Sequence, residues 1–184
     1  MVIPMPTLTI ELPSQAAQTE FNLRRWDEVL ADRYLAKLDF RVETDRHGYA
    51  IMSPPPAARH GAFQGEVAYL LRTLMAEGRT LTECPISTAD GVRAADVAWA
   101  SPARIAELGN RSCFPNAPEI CVEILSPSNT EAEIGEKIAL YFDAGAREVW
   151  LCDTLGNMTF FDPGRTRLKA SAWCVDFPQA IQLP

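Results

Sequence analysis

The sequence predicts an α/β protein in which helices flank a mixed central β-sheet. A strand, a helix and a second strand follow one another between residues 119 and 152, which is the order of a crossover unit. Earlier segments carry apolar residues at helical spacing, and several short apolar runs end at turn residues. The chain has 184 residues, of which 47% are hydrophobic, so one core can form without disulfides or a structural metal.

Helical spacing predicts four helices. Their expected bounds are Phe21–Leu38, Ala58–Ala76, Arg104–Gly109, and Thr130 to near Gly145. Thr130 and Glu133 have the spacing of a capping box, and Gly78 is expected to close the second helix. Before the first helix, residues 1–20 are expected to be extended or frayed, which leaves residues 21–184 as a single domain.

Strands are predicted where short apolar or β-branched runs lie between turn residues. Their expected bounds are Arg41–Glu43, Tyr49–Met52, Arg79–Ser87, Gly91–Ala100, Glu119–Leu125, Glu148–Cys152 and Met158–Phe161. The first two strands surround the turn signal Arg46-His47-Gly48, and the last two surround Gly156-Asn157, so each pair is expected to form a hairpin.

The net charge of −7 limits the class of partner. Phosphate affinity comes mainly from Lys and Arg, so the charge weighs against a tight nucleic-acid binder. A local basic strip can still exist on an acidic molecule, and a site that holds a metal ion is itself acidic. A nuclease therefore stays compatible with this composition.

The five cysteines indicate a reducing compartment. Their count is odd and none forms a CxxC pair, which argues against a zinc knuckle and against a secreted disulfide framework. The sequence has no signal-peptide pattern at Met1 to Ile10 and no run of about 18 apolar residues. We therefore expect a cytoplasmic protein that does not interact with a membrane.

Two acidic residues lie inside otherwise apolar predicted strands. Alternation along Glu119–Leu125 puts Glu123 on the face that also carries Cys121, and Asp96 repeats this pattern one strand earlier. A buried carboxylate needs a metal ion, a cation or hydrogen-bond donors. Two carboxylates on interior strands of one sheet can meet at an oxygen-rich site, which suits Mg²⁺ or Mn²⁺.

Lys137 adds a cation to this hypothesis. It lies at the edge of the buried stripe of a helix that starts a few residues after Glu123. Two carboxylates that hold a metal, with a lysine that stabilises negative charge, suit phosphodiester hydrolysis. A simpler interpretation is also open: each acid lies on a solvated face, and Lys137 only pairs with Glu133 one turn away.

Several blocks of the sequence resemble the Uma-two family of predicted endonucleases. The similarity covers about residues 20 to 162 and includes the Ser53-Pro54-Pro55-Pro56 segment with the histidine that follows it. The other similar blocks are Arg93-Ala94-Ala95-Asp96-Val97, VEILSPS at residues 122–128, Gly135-Glu136-Lys137, Tyr141, Ala144-Gly145, Val149-Trp150-Leu151 and Asp153. The resemblance implies the restriction-endonuclease-like core of the PD-(D/E)xK superfamily, with an N-terminal helix and a β-hairpin.

The resemblance also implies roles for individual residues. Asp96 matches the Asp of the first half-motif and Glu123 the acidic residue of the second, so both would bind metal, with the main-chain carbonyl of Ile124 as a third ligand. The superfamily pattern puts Lys at the position of Leu125, and in this family the lysine corresponds to Lys137. Ala95 stands where the pattern has Pro.

Two accessory residues follow from the same resemblance. His60 opens the second helix, where it would touch substrate or assist proton transfer, and a helix-capping or surface role is the alternative. Glu66 lies on the same helix, where related nucleases carry a third acidic group, and a solvated helix face is the alternative.

These inferences lead to an expected function. The resemblance implies a Mg²⁺- or Mn²⁺-dependent endonuclease that cleaves DNA, and a homodimer would suit an enzyme that cuts both strands. The first alternative is a catalytically inactive nuclease-fold protein that binds nucleic acid or assembles with itself. The second is a two-carboxylate glycoside hydrolase, whose chemistry has no evident use for Lys137.

Overall fold

A six-stranded mixed sheet forms the centre of the protein, in a computed structural model that describes residues 13–183. The helices are α1 (Gln15–Ala31), α2 (Ala58–Leu74), α3 (Pro102–Leu108) and α4 (Glu131–Asp143). The strands are β1 (Arg41–Thr44), β2 (Ala50–Ser53), β3 (Arg79–Thr88), β4 (Gly91–Ala100), β5 (Ile120–Ile124), β6 (Glu148–Cys152), β7 (Met158–Phe161) and β8 (Arg167–Leu168). The predicted fold class, a mixed sheet flanked by helices with an N-terminal helix and a hairpin, is confirmed.

The order of strands in the large sheet follows the chain, from β3 to β8. Strands β5 and β6 are parallel because α4 connects them as a crossover, whereas the other neighbouring strands are antiparallel. Strands β1 and β2 form a separate antiparallel hairpin. The sequence therefore predicted the crossover and both hairpins correctly.

Helices α2 and α4 cover the two faces of this sheet. One buried cluster joins Phe63, Val67 and Leu71 of α2 to the sheet and to residues 174–181 of the C-terminal segment. A second buried cluster joins Ile138 and Tyr141 of α4 to β3, β4, β5 and β6. Strands that are buried on both faces read as near-continuous apolar runs, which explains the burial of every residue of β5.

The β1–β2 hairpin packs beside the start of β4. The amide of Val92 donates a hydrogen bond to Thr44 Oγ1, over 2.9 Å. Gly91 has φ +86°, and a Cβ there would lie 2.2 Å from the carbonyl oxygen of Thr44, so only glycine permits this approach. The contact brings strand β1 alongside the residues that precede Asp96.

The first helix differs from its prediction at both ends. It begins at Gln15, because Ser14 caps it by accepting a hydrogen bond from the amide of Ala17, so the last residues of the expected frayed segment are helical. It ends at Ala31. The side chain of Asp32, the next residue, accepts hydrogen bonds from the amides of Tyr34 and Leu35. Tyr34, which the predicted helix included, lies beyond the end of α1 and is 82% exposed. The rest of the expected frayed segment, residues 1–12, lies outside the described residues.

The other predicted elements agree with the structure to within two residues at each end. Gly78 does not close α2, which ends at Leu74; it lies at the start of β3 with φ +86°, and a Cβ there would lie 2.4 Å from the carbonyl oxygen of Ala100. All five cysteines are buried free thiols. Within residues 13–183, none of the helices combines the length and the apolar character needed to cross a membrane.

Candidate active site

Asp96 and Glu123 lie on neighbouring strands at the point where their ladder ends. The last pairs of the β4–β5 ladder join Ala98 to Cys121 and Val97 to Val122, so Asp96 and Glu123 follow as the next opposed positions. Asp96 Oδ2 accepts a hydrogen bond from the amide of Ile124, over 2.7 Å. The two carboxylates expected to share a site are therefore adjacent.

Helix α4 holds the Glu123 carboxylate with two side chains one turn apart. Lys137 Nζ lies 3.0 Å from Glu123 Oε2, and the Tyr141 hydroxyl donates to Glu123 Oε1 over 2.6 Å. The capping box at the start of α4 uses the Glu133 carboxylate, which accepts from the amide and hydroxyl of Thr130. Lys137 thus reaches Glu123, and not Glu133 as the simpler interpretation supposed.

Strand β1 contributes a third carboxylate and an arginine. Glu43 Oε1 accepts from the amide of Ala94 over 2.9 Å and lies 3.4 Å from Lys137 Nζ. Arg41, two residues earlier on the same face, donates from Nη1 to Asp96 Oδ1 over 2.6 Å. The sequence analysis missed both residues, although their i, i+2 spacing puts them on one face of the hairpin.

Helix α2 reaches the site through His60 and Gln64. His60 Nε2 lies 3.3 Å from Asp96 Oδ2, and Gln64 Nε2 donates to the main-chain carbonyl of Asp96 over 2.9 Å. Glu66, on the same helix, is half-buried and does not belong to the cavity lining, which includes His60 and Phe63. The structure therefore brings His60 to Asp96 and leaves Glu66 apart from both carboxylates.

The buried charges shift the pKa values of the two acids in opposite directions. Burial raises the pKa of Glu123, and the nearby charge of Lys137 only partly offsets it. Burial also acts to raise the pKa of Asp96, but the hydrogen bond from His60 and the charge of Arg41 outweigh it, so that pKa is lowered. The hydrogen bond to Asp96 in turn raises the pKa of His60.

Lys137 and Arg41, the two cations beside these carboxylates, stay charged. Burial acts to lower the pKa of Lys137, but the charges of Glu123 and Glu43 outweigh it and raise the pKa. The same balance, with Asp96 as the largest favourable charge, raises the pKa of Arg41. Two cations and a histidine thus face three carboxylates within a few ångströms.

These groups open into a cavity of about 940 Å³. The cavity lies between the β1–β2 hairpin, the Pro54-Pro55-Pro56 segment, the start of α2 and the start of α4. Ser126 and Ser128, which also line it, bond each other by their hydroxyls, and Asn129 Oδ1 accepts from the amide of Ser126, so both serines shape the turn after β5. A cavity of this volume can hold a small ligand or a few nucleotides.

The carboxylates of the site would bind a metal ion through oxygen atoms. In residues 13–183, no group of three or more His, Cys, Asp or Glu side chains has the arrangement of a metal-ion cage. Asp96 and Glu123 are nevertheless the kind of ligand that Mg²⁺ takes, since this ion is commonly bound by one or two carboxylates together with water and substrate phosphates. The arrangement can therefore hold a divalent ion or, as the contacts stand, an arginine and a lysine.

Comparisons with known proteins identify the family. No curated protein matches the sequence. The crystal structure of a protein described as "a putative nuclease belonging to DUF820", from Anabaena variabilis ATCC 29413, has a similar fold, with a TM-score of 0.64. It is 19% identical and the match covers 76% of this chain and 86% of that chain, so the similarity shows the fold alone. The family model "Uma2: Putative restriction endonuclease" matches residues 26–168, well over half of the chain. The chain therefore belongs to the Uma2 family, as the sequence predicted, and the description of that family suggests a restriction-endonuclease-like nuclease.

Proposed function

We propose that the chain is a metal-dependent endonuclease that hydrolyses phosphodiester bonds of DNA. The observation that carries the proposal is the convergence of Asp96, Glu123 and Lys137 on one cavity, from β4, β5 and α4. Asp96 lies on a strand well before Glu123 in the sequence, so the meeting of the two carboxylates depends on the register between β4 and β5. The family supports a nuclease, and the chemistry of the site supports Mg²⁺ or Mn²⁺ as its cofactor.

The residues that would hold the metal are Asp96 and Glu123. Both are buried, with 1% and 8% exposure, and both pair with a positively charged side chain at the cavity, which supports a metal cation as a partner of the same carboxylates. The main-chain carbonyl of Ile124 stays a predicted third ligand. When bound, a divalent ion polarises the phosphate and lowers the pKa of water.

The other side chains position charge and protons around the substrate. Lys137 is held between Glu123 and Glu43, so its ammonium group is fixed where negative charge develops on the phosphate. The Tyr141 hydroxyl orients the Glu123 carboxylate, and His60, whose pKa is raised by Asp96, supplies a proton donor at the cavity wall. No role follows for Glu66 from its position on α2.

Cleavage assays test this proposal directly. Purified protein is incubated with plasmid and single-stranded DNA in Mg²⁺ or Mn²⁺, with and without EDTA. We expect Asp96→Ala and Lys137→Ala to lower the rate by about 10²- to 10³-fold, and the exposed control Lys169→Ala to keep it. Cleavage that survives both substitutions would indicate a contaminating nuclease.

The outcome also separates the proposal from its main alternative. Absence of cleavage on every nucleic acid, with binding or self-assembly retained, would support a catalytically inactive nuclease-fold protein, which the net charge of −7 favours. Analytical ultracentrifugation tests the expected homodimer independently of activity. A monomer that cleaves both strands would remove the dimer from the proposal and leave the chemistry.

A further inference from the structure

The guanidinium group of Arg41 contacts three acceptors at the acidic site. Its Nη1 donates to Asp96 Oδ1 over 2.6 Å, its Nε forms an ion pair with Glu83 Oε2 at 2.9 Å, and its Nη2 donates to the carbonyl of Ala94. The side chain is 21% exposed and lines the cavity. A planar guanidinium with this many fixed contacts is held in one orientation.

Both oxygens of Asp96 are engaged. Oδ2 accepts the amide of Ile124 and faces His60, which belong to β5 and α2 and are fixed by the fold. Among residues 13–183, the polar partner of Oδ1 is the guanidinium of Arg41, which reaches the site from the separate β1–β2 hairpin. Oδ1 is therefore the oxygen whose partner can be exchanged with the least change to the fold.

We propose that Arg41 competes with the divalent metal for Asp96 Oδ1. Without the ion, Arg41 neutralises Asp96 and keeps the site assembled. When the ion binds, the Nη1 end of Arg41 leaves Asp96, stays tethered by Glu83, and faces the cavity, where a guanidinium is matched to a substrate phosphate. This inference rests on the proposed function, because it takes the metal as given.

Metal binding measured without nucleic acid tests the competition. Mn²⁺ is titrated into the full chain by isothermal calorimetry, for the wild type and for Arg41→Gln. Removal of a competing cation is expected to tighten Mn²⁺ binding by about tenfold or more, within the range of ordinary coupling between two ligands. The conservative variant Arg41→Lys keeps the positive charge but loses the planar guanidinium group. Its affinity for Mn²⁺ is expected to lie between that of the wild type and that of Arg41→Gln.

Arg93→Gln is the matched control. Arg93 lines the same cavity and pairs with Glu43 and Asp90, but not with Asp96. It therefore measures the general effect of removing one positive charge, which is expected to be under about threefold. Thermal unfolding of each variant confirms that it is folded, and Arg41→Lys carries the test if Arg41→Gln is not.

The outcomes distinguish the two proposals. Equal or weaker Mn²⁺ binding by both Arg41 variants, or tightening no greater than that of Arg93→Gln, would overturn the competition and leave the metal site intact. Mn²⁺ binding that is absent in every variant, or that is unchanged in Asp96→Asn, would overturn the metal site and the competition together.

Discussion

Glu123 on β5 and Glu148 on β6 are buried glutamates on neighbouring parallel strands, and their surroundings differ in kind. Glu148 is 2% exposed, and its hydrogen-bond donors in the described part of the chain are neutral, namely Trp150 Nε1, Ser171 Oγ and the amides of Ala172 and Trp173. Glu123 meets a lysine and a tyrosine at the edge of the cavity. The register pairs Ile120 with Glu148 and Glu123 with Leu151, so the two acids lie at opposite ends of the strand pair.

The difference shows that burial of an acid does not by itself mark a functional site. Apart from Trp150 of β6, the donors to Glu148 come from residues 171–173 of the C-terminal segment, so its carboxylate ties that segment to the sheet, and Glu148 does not line the cavity. Glu123 is balanced by a charged partner, the Lys137 ammonium group, at the cavity. Neutral donors inside the core agree with a structural role for Glu148, whereas a charged partner beside the cavity supports the proposed role of Glu123.

Glu123→Gln is expected to have the largest effect on cleavage. Loss of this carboxylate is expected to lower the rate of DNA cleavage by about 10²- to 10³-fold, because it removes both a proposed metal ligand and an ion-pair partner of Lys137. The amide keeps an oxygen for the Tyr141 hydroxyl, and Glu43 still pairs with Lys137, so the free energy of unfolding is expected to change by only about 1 kcal/mol. Initial rates and urea unfolding measure the two effects. Wild-type cleavage by a folded variant would contradict the assignment.

The corresponding substitution of the other buried glutamate, Glu148→Ala, is expected to have the next largest effect. It leaves several buried donors without an acceptor, so the free energy of unfolding is expected to fall by roughly 3 kcal/mol. Cleavage per folded molecule is expected to be unchanged. Urea unfolding measures the loss, and Glu20→Ala, which removes an exposed carboxylate from α1, is the control. A stable variant with reduced cleavage would show that the two glutamates do not divide as described.

Sequence patterns identified Asp96, Glu123 and Lys137 as candidate site residues because each pattern lies within a single strand or helix. Strand alternation marked the two acids, and helical spacing put Lys137 at the edge of the α4 stripe. The register that makes Asp96 and Glu123 adjacent, and the hydroxyl contact of Tyr141, depend on packing between elements, so spacing alone left the simpler interpretation open.

Arg41 and Glu43 could not be found in the same way. They belong to a four-residue strand whose position is set by contacts about fifty residues later in the chain, among them the hydrogen bond between Thr44 and Val92. Glu148 and Glu123 both lie in short apolar strands, and their different partners, the C-terminal segment for Glu148 and α4 for Glu123, become visible only in the folded chain. Long-range packing therefore decides which buried acid is structural.

The smallest expected effect concerns α4, the helix whose side chains contact Glu123. Helix α4 carries Lys137 and Tyr141 and begins with the capping box of Thr130 and Glu133, whereas none of the donors to Glu148 lies on this helix. Hydrogen bonds from the amide and hydroxyl of Thr130 lower the pKa of Glu133 below its ordinary value of 4.5. A lowered pKa in the folded state stabilises the protein above the unfolded value, and this stabilisation is lost as the pH falls through the folded value.

Urea unfolding of the wild type and Glu133→Gln between pH 3 and pH 7 measures this contribution. The glutamine keeps an acceptor for Thr130 but does not titrate, so the wild type is expected to be slightly more stable above about pH 5, with the advantage shrinking as the carboxylate protonates. Glu131→Gln removes an exposed charge from the same helical turn and controls for the general loss of negative charge. A difference that stays constant down to pH 3 would mean that the carboxylate does not hold the start of α4, and that the partners of Glu123 are positioned by core packing alone.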